Sequence, residues 1–166
     1  MITNHFSLLP IESYHMTTMS VCSQKLLPDE QWAAFIDSEL HWFKKLQKRI
    51  AASNFYPNIV LESIEACWTL RVTLRLDVEQ QRQVQELARE FDLEFRVPSS
   101  FHVTLGYKFL ELDSTAQYEL DHSLACVFEG YSGKRLQLEP PRLSYFRDMT
   151  HFTAWTADHN PYSLCR

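Results

Sequence analysis

Two five-residue segments of this chain follow one pattern, which is Ser, aromatic, His, apolar, Thr. Residues 13–17 read Ser-Tyr-His-Met-Thr and residues 100–104 read Ser-Phe-His-Val-Thr. Side chains alternate between the two faces of an extended strand, so a His and a Thr two residues apart point the same way. Each segment therefore predicts a strand that presents an imidazole beside a hydroxyl and turns its aromatic and apolar residues to the core.

The length and the composition limit what surrounds these strands. A chain of 166 residues can bury one good core, so we expect a single domain over residues 1–166, with two lobes that contribute one motif strand each. Three glycines are too few for a Gly-rich phosphate loop or a dinucleotide fingerprint. The net charge of -5 opposes binding to long nucleic acid, whereas a small nucleotide or an RNA end needs only a few local cations.

The cysteines and the first residues indicate the cellular compartment. Cys22, Cys67, Cys126 and Cys165 are far apart, without a Cys-x-x-Cys pair or zinc-type spacing, and are expected to be reduced, buried thiols. Residues 1–10 lack the features of a signal peptide, and no stretch approaches the ~20 apolar residues of a membrane span. We therefore expect a cytoplasmic protein without a membrane partner.

Hydrophobic spacing predicts the order of the elements. Strands are predicted at residues 5–9, 14–22, 101–109, 136–146 and 152–156, with two more that meet near Cys67 within residues 59–76. Helices are predicted at about 29–50, at 78–92 after Asp77, and at about 114–130 after Asp113 or Ser114. Because strands and helices do not alternate regularly, we expect an α+β fold with antiparallel sheets and helices outside.

Strand alternation also selects candidate cations. In the second strand of residues 59–76, Arg71 and Arg75 share the outward face, where they are either solvated or form a cationic wall along a groove. In the motif strand of residues 101–109, the same alternation places Lys108 on the face of His102 and Thr104. Arg71, Arg75 and Lys108 are therefore candidate substrate-binding residues.

Two His-x-Thr strands that face each other across a cleft would suit chemistry at phosphorus. One imidazole, His15 or His102, can accept a proton while the other donates one, because histidine titrates near neutral pH. The hydroxyls of Thr17 and Thr104 can donate hydrogen bonds to the oxygens of an anion between them. The residues predict acid-base catalysis of in-line attack on a phosphoryl group.

Two other chemistries have less support in the sequence. A zinc site built on His15 and His102 would need a third ligand, and no His, Cys or carboxylate stands at suggestive spacing beside either one. Ser13 and Ser100 lie outside the Gly-x-Ser-x-Gly turn that activates a serine nucleophile. We therefore expect neither a metal site nor a cofactor.

The paired motifs resemble the 2H phosphoesterase superfamily, which is named for two His-x-Thr/Ser motifs. Four segments are similar to a mostly bacterial branch of this superfamily. They are residues 13–17, residues 101–107 (Phe-His-Val-Thr-Leu-Gly-Tyr), residues 140–141 (Pro-Pro) and residues 146–152 (Phe-Arg-Asp-Met-Thr-His-Phe). The resemblance implies a two-lobed fold with pseudo-two-fold symmetry and a metal-independent groove between the lobes. It also implies that the antiparallel sheets form this groove.

The resemblance assigns roles by position. It implies that His15 and His102 are the acid-base pair and that Thr17 and Thr104 bind the phosphate. Tyr107 stands where ligase-like relatives tend to carry an arginine. Strand alternation places Tyr107 in the core, opposite His102, which makes Lys108 the better substitute for that cation.

The sequence thus predicts a metal-independent phosphodiesterase with a nucleotide or RNA-end substrate, cleaving a 2',3'-cyclic or 2'-5' phosphodiester. Two alternatives stay open. One is a non-catalytic nucleotide-binding or sensor module that uses the same groove. The other is a structural or partner-binding protein in which the two histidines lie far apart.

Overall fold

The computed structural model describes residues 2–23, 29–146 and 148–161, and it is a mixed α+β structure. The strands are β1 (Phe6–Leu8), β2 (Asn58–Ala66), β3 (Thr69–Leu76), β4 (Phe101–Lys108), β5 (Arg135–Gln137), β6 (Ser144–Tyr145) and β7 (Thr153–Ala154). The helices are α1 (Asp29–Ser38), α2 (Leu40–Ala51), α3 (Val78–Glu90) and α4 (Ser114–Glu129).

Five of these strands form one antiparallel sheet in the order β1-β4-β3-β2-β5. The hairpin of β2 and β3 occupies the centre, and β4, which carries the second motif, pairs with β3. The short β1 pairs with the other side of β4, which confirms the edge strand predicted at residues 5–9. The β4 strand therefore has β3 on one side along residues 101–107 and β1 on the other side only at residues 106–108.

The alternation predicted for β3 is confirmed. Leu70, Leu74 and Leu76 are buried on one face of the sheet, so Arg71 and Arg75, at the intervening positions, belong to the other face. Residues directly opposite each other in an antiparallel pair share a face. The sheet therefore has one apolar and one polar face.

Helices α3 and α4 cover parts of the apolar face. Leu120 and Leu124 of α4 pack with Phe6 and Leu70, while Val84 of α3 belongs to a second buried cluster. Each fully buried side chain of this size contributes roughly 1.5–3 kcal/mol relative to the exposed state. The packing therefore fixes which face of the sheet stays polar.

Both helices begin at the predicted caps. The carboxylate of Asp77 accepts a hydrogen bond from the backbone N–H of Gln80 at 2.7 Å, and that of Asp113 accepts one from Ala116 at 2.8 Å. Each bond satisfies a backbone donor that has no partner within the helix. The predicted helix boundaries at Asp77 and Asp113 are confirmed.

The helix predicted at residues 29–50 is kinked into α1 and α2. Glu39 lies at φ -91° and ψ 6°, outside the helical region, although its N–H still bonds to Phe35 O and its C=O still accepts from Phe43 N, both at 3.0 Å. Leu46 of α2 is fully buried against Ala88 of α3 and against Phe91, the residue that follows this helix. Helix α2 therefore packs on α3.

Near the C-terminal end of the described residues, β6 and β7 form a small antiparallel hairpin. Trp155, just after β7, is buried with Ile36 of α1 and Phe43 of α2. Its backbone N–H donates to Leu143 O at 2.8 Å, and its backbone C=O accepts from the Gln47 amide at 3.1 Å. These contacts attach the hairpin to the α1–α2 unit.

The strand predicted at residues 14–22 is wrong apart from one bridge. The chain after Pro10 forms a 3₁₀ turn, Ile11–Ser13, closed by the bond from Ser13 N to Pro10 O at 2.9 Å. Only Met16 then forms a bridge to β4. The turn keeps the residues before Met16 out of the sheet. The alternating pattern of residues 14–22 gives no sign of this turn, so it could not show that the strand is interrupted.

Two further expectations are corrected. The strand predicted at residues 136–146 is divided into β5 and β6, because Pro140 and Pro141 have no N–H to continue a ladder. Cys67 and Cys126 are exposed rather than buried, and Cys22 is half-buried; all three are free thiols. Cys165 lies outside the described residues.

Gly106 gives a test of the β1–β4 pairing. A Cβ at this position would lie 2.7 Å from the carbonyl oxygen of Ser7 and 3.2 Å from Leu8 Cα. Because these are backbone atoms, Gly106→Ala must push β1 away from β4, and we expect the free energy of unfolding to fall by about 1–3 kcal/mol.

Gly130→Ala is the matched control, because Gly130 has an ordinary φ of -69° and free space around its Cβ position. We expect it to leave the free energy of unfolding unchanged or to raise it by up to about 1 kcal/mol. Urea denaturation followed by circular dichroism compares the two variants. Equal midpoints would contradict the pairing.

Candidate active site

The bridge between Met16 and Val103 brings the two motifs side by side. These are the central residues of the two segments, and they pair in the antiparallel sense. Before the bridge, β1 pairs with residues 106–108 of β4. Between the two contacts the N-terminal segment is longer than the facing part of β4, and the 3₁₀ turn of Ile11–Ser13 accommodates the difference in length. The N-terminal segment therefore meets β4 twice, and the second contact joins motif to motif.

The register of this bridge relates the two motifs by a local two-fold axis. Continued by one residue each way, it sets His15 opposite Thr104 and Thr17 opposite His102. Residues directly opposite each other share a face, and diagonal neighbours across an antiparallel pair lie ~7–8 Å apart. The bridge itself pairs only Met16 with Val103; a ladder continued in the same register would make His15 and His102 diagonal neighbours.

Both imidazoles are held in the same way. Nδ1 of His15 donates to the backbone oxygen of Ser13 at 2.8 Å, and Nδ1 of His102 donates to that of Ser100 at 3.2 Å. A carbonyl oxygen can only accept, so Nδ1 carries the proton in each ring. In its neutral form, each histidine therefore keeps Nε2 as a free acceptor. The backbone carbonyl two residues before each His fixes this tautomer.

The two threonines differ in exposure. Thr104 is 7% exposed, at the centre of the sheet, whereas Thr17 is exposed beyond the bridge. Across the polar face, Thr104 is followed by Arg71 and Glu65, and His102 is followed by Thr73 and Ser63. The sheet therefore surrounds the second motif with hydrogen-bonding side chains in two cross-strand rows.

Arg71 and Arg75 lie on this polar face, as predicted, but both are paired with carboxylates. Arg71 donates from Nε at 3.1 Å and from a terminal nitrogen at 2.8 Å to one oxygen of Glu65. Arg75 donates to Glu62 at 2.7 Å, and its side chain is 59% exposed. Arg71 is directly opposite Thr104, so it is the nearer of the two cations to the motifs.

A β-bulge in β4 reverses the faces predicted for Tyr107 and Lys108. Arg71 pairs with Thr104 and Leu70 pairs with Gly106, so Leu105 is an extra residue without a partner on β3. The bulge shifts the alternation by one residue. Beyond it, even-numbered residues of β4 belong to the apolar face and odd-numbered residues to the polar face.

Lys108 is therefore not on the His102 face, and the predicted placement on which its choice as a substrate-binding cation rested is wrong. It lies opposite the buried Phe6, and its side chain is 11% exposed. The ammonium group donates to Glu111 at 2.9 Å and lies 5.3 Å from the ring of Trp68. Its charge is thus already engaged on the helix side of the sheet.

Tyr107 takes the place on the polar face that alternation gave to Lys108. It lies opposite Ser7 of β1 on one side and opposite Thr69 of β3 on the other. The neighbouring cross-strand pair on this face is that of Arg71 and Thr104. Burial raises the pKa of its hydroxyl, so the phenol remains a neutral donor at physiological pH. The expectation of a core tyrosine is wrong, and Tyr107 joins the candidate site.

Two phenylalanines beside His15 were missed by the sequence reasoning. The ring of Phe152 lies 3.8 Å from the His15 ring, centroid to centroid, and the ring of Phe146 lies 4.7 Å from that of Phe152. The loop between them, in which Arg147 lies outside the described residues, has Asp148 accepting from the hydroxyl and N–H of Thr150, which lowers the Asp148 pKa. The sequence did contain a pattern that could have indicated them, because residues 146–152 form a mostly polar segment with a phenylalanine at each end.

A cavity of about 1190 Å³ extends from His15 across the apolar face. Its floor includes Ile64 and Val72 of the central hairpin, and α3 and α4 contribute Val84 and Phe128 to its walls. The segment between β5 and β6 also lines it, with the two prolines of residues 140–141. The His15 motif thus lies where the cavity meets the sheet edge.

Other chemistry has little support in this region. Ser13 is buried, and its hydroxyl donates to Pro10 O at 2.7 Å, so it is engaged in the turn. Across residues 2–23, 29–146 and 148–161, no group of three or more His, Cys, Asp or Glu side chains could hold a metal ion. The metal-independent mechanism stays a prediction.

The comparisons with known proteins give no neighbour. Searches of protein-family models, of curated proteins and of solved structures find no match to this chain. Within the part of the chain that the structure describes, none of the helices has both the length and the apolar character needed to cross a membrane.

Cys22 provides a test of the cavity lining. Burial raises the pKa of its thiol to about 11, and the thiolate is the form that alkylating reagents attack. At pH 8 a thiol of that pKa is ionised in about one molecule in a thousand. We expect iodoacetamide to modify the exposed Cys67 and Cys126 well before Cys22, measured by peptide mass spectrometry. Modification of Cys22 at the same rate would contradict its burial.

Proposed function

We propose that this chain is a metal-independent phosphodiesterase of the 2H phosphoesterase type, acting on a small nucleotide or RNA-end 2',3'-cyclic or 2'-5' phosphodiester. The observation that carries the proposal is the matched environment of His15 and His102. Both rings are fixed through Nδ1 by the carbonyl two residues earlier, on segments that pair through one antiparallel bridge. Two oriented acid-base groups of this kind suit a single proton-transfer reaction.

The proposed reaction needs two proton transfers at one phosphorus. One histidine accepts a proton from the attacking water as the new P–O bond forms. The other, protonated, histidine donates its Nε2 proton to the ribose oxygen as the old P–O bond breaks. Bracketing by two diagonal imidazoles places the nucleophile and the leaving group on opposite sides of the phosphorus, as in-line displacement requires.

The anion would be stabilised by hydroxyl donors and by one cation. Thr17 and Thr104 are opposite the two histidines in the register of the bridge, so their hydroxyls can donate to the non-bridging oxygens. Arg71 would add positive charge beside Thr104 while it remains bound to Glu65. Arg75 is proposed only as a more distant contributor to the same field.

The two-lobed, pseudo-two-fold architecture forms part of this proposal. The support for it is local: the two motifs are related by a two-fold axis at the Met16–Val103 bridge. Each motif is followed along the chain by a helix, α1 and α4 respectively. The polar face of the sheet would then be the wall of the groove.

Hydrolysis of a nucleoside 2',3'-cyclic phosphate in the presence of EDTA tests the function. We expect His15→Ala and His102→Ala each to lower kcat/KM by about 10²–10⁴-fold, because each removes one proton-transfer group. The double variant should lose little more than the slower single variant, because the two groups act in one reaction.

His122→Ala is the matched control, since His122 is an exposed residue of α4 outside the motifs, and it should keep the wild-type rate. Equal rates for the wild type and the double variant would refute hydrolysis of that substrate by this pair. Tight nucleotide binding without turnover on cyclic, 2'-5' and 3'-5' linked substrates would instead identify a non-catalytic binding module.

A further inference from the structure

The two motifs are alike in backbone geometry and unlike in their surroundings. His15 is covered on one side by Phe152 at 3.8 Å between ring centroids. Among the aromatic contacts of the described residues, His102 takes part in none. A substrate lying between the two histidines would therefore have an aromatic neighbour on the His15 side.

The aromatic surface continues outward from His15. Phe146 lies 4.7 Å from Phe152, with the two rings tilted by 41°, and it is 50% exposed. A half-exposed ring that already contacts another aromatic ring on one side offers its remaining surface to a third planar group. Because Phe152 itself contacts the imidazole, this surface begins next to the proposed reaction centre.

The space for such a group is present. Phe146, Met149 and Phe152 line the same cavity as His15 and Thr17, whereas His102 and Thr104 are not among its lining residues, so the cavity offers space only on the His15 side. Its volume of about 1190 Å³ exceeds what a single nucleoside requires. The walls are mainly apolar side chains, which favour a flat, weakly hydrated ring over a charged or sugar-like group. The cavity and the aromatic pair thus meet at the edge of the first motif.

We propose that Phe146 and Phe152 form a stacking site for the nucleobase of the substrate, on the His15 side of the reaction centre. The inference rests on the proposed function and deepens it, because it assigns the residues that bind the base of the nucleotide. Stacking of a base on an aromatic side chain changes affinity by about 5- to 150-fold. Phe146 determines specificity through the base and takes no part in the proton transfers.

The test compares a nucleoside 2',3'-cyclic phosphate with the base-free 1-O-methyl-ribofuranose 2,3-cyclic phosphate. We expect Phe146→Ala to raise KM for the nucleoside substrate at least about 5-fold, to leave kcat near the wild-type value and to leave KM for the base-free compound unchanged. Phe146→Tyr should keep the wild-type KM. Phe146→Leu, which keeps the apolar bulk without the ring, should resemble Phe146→Ala.

Tyr118→Ala is the control for loss of a surface aromatic residue, because Tyr118 is 73% exposed on α4 and does not line the cavity. It should leave both KM values unchanged. An equal effect of Phe146→Ala on the two substrates would overturn the proposal. So would a Phe146→Leu variant with the wild-type KM, because this result would indicate an aliphatic rather than a stacked group.

Equilibrium binding separates this proposal from the hydrolase function. Calorimetry would use a nucleoside 2'-monophosphate and ribose 2-phosphate as probes. If no substrate is hydrolysed but Phe146→Ala still weakens nucleotide binding selectively, hydrolysis fails and the stacking site is supported. If the wild type binds both probes equally, the stacking site fails, whatever the rate of hydrolysis.

Discussion

The antiparallel bridge between Met16 and Val103 is the contact on which the candidate site depends. Both side chains pack into the buried cluster of Leu74 and Phe101, so the bridge is held by the core rather than by the polar groups it positions. Burial of these apolar side chains stabilises the pairing, and the pairing brings the segments that carry His15 and His102 side by side. The N-terminal segment is otherwise irregular here, which makes this one contact the link between the two halves of the proposed active site.

The bulge at Leu105 has a comparable influence on the rest of the site. Because Leu105 has no partner on β3, Lys108 lies on the helix side of the sheet and Tyr107 lies on the polar face with Thr104. The site thereby exchanges a point charge for a neutral phenol that can donate a hydrogen bond. Arg71 becomes the cation nearest to the motifs, and Glu65 offsets its charge. The candidate site is thus less cationic than the sequence pattern indicates, and aromatic contacts around His15 take a larger part in it.

Features with a local cause were predictable from the sequence. The caps at Asp77 and Asp113, the β2–β3 hairpin and the two faces of β3 follow from capping chemistry and from a period of two, and all are confirmed. Features that depend on register between distant segments were not predictable. The bulge at Leu105 is visible only against β3, and the contact of Phe152 with His15 needs the chain to return from the other end. The 3₁₀ turn before the first motif follows Pro10, and its effect on pairing emerged only in the folded chain.

A crystal structure of the protein with bound phosphate would test most directly whether the two motifs form one site. We predict a phosphate ion between the imidazoles, with Nε2 of both His15 and His102 about 2.6–3.2 Å from its oxygens. The hydroxyl of Thr104 should contact the same ion. Imidazoles more than about 10 Å apart, too far to bracket one phosphoryl group, would contradict the account.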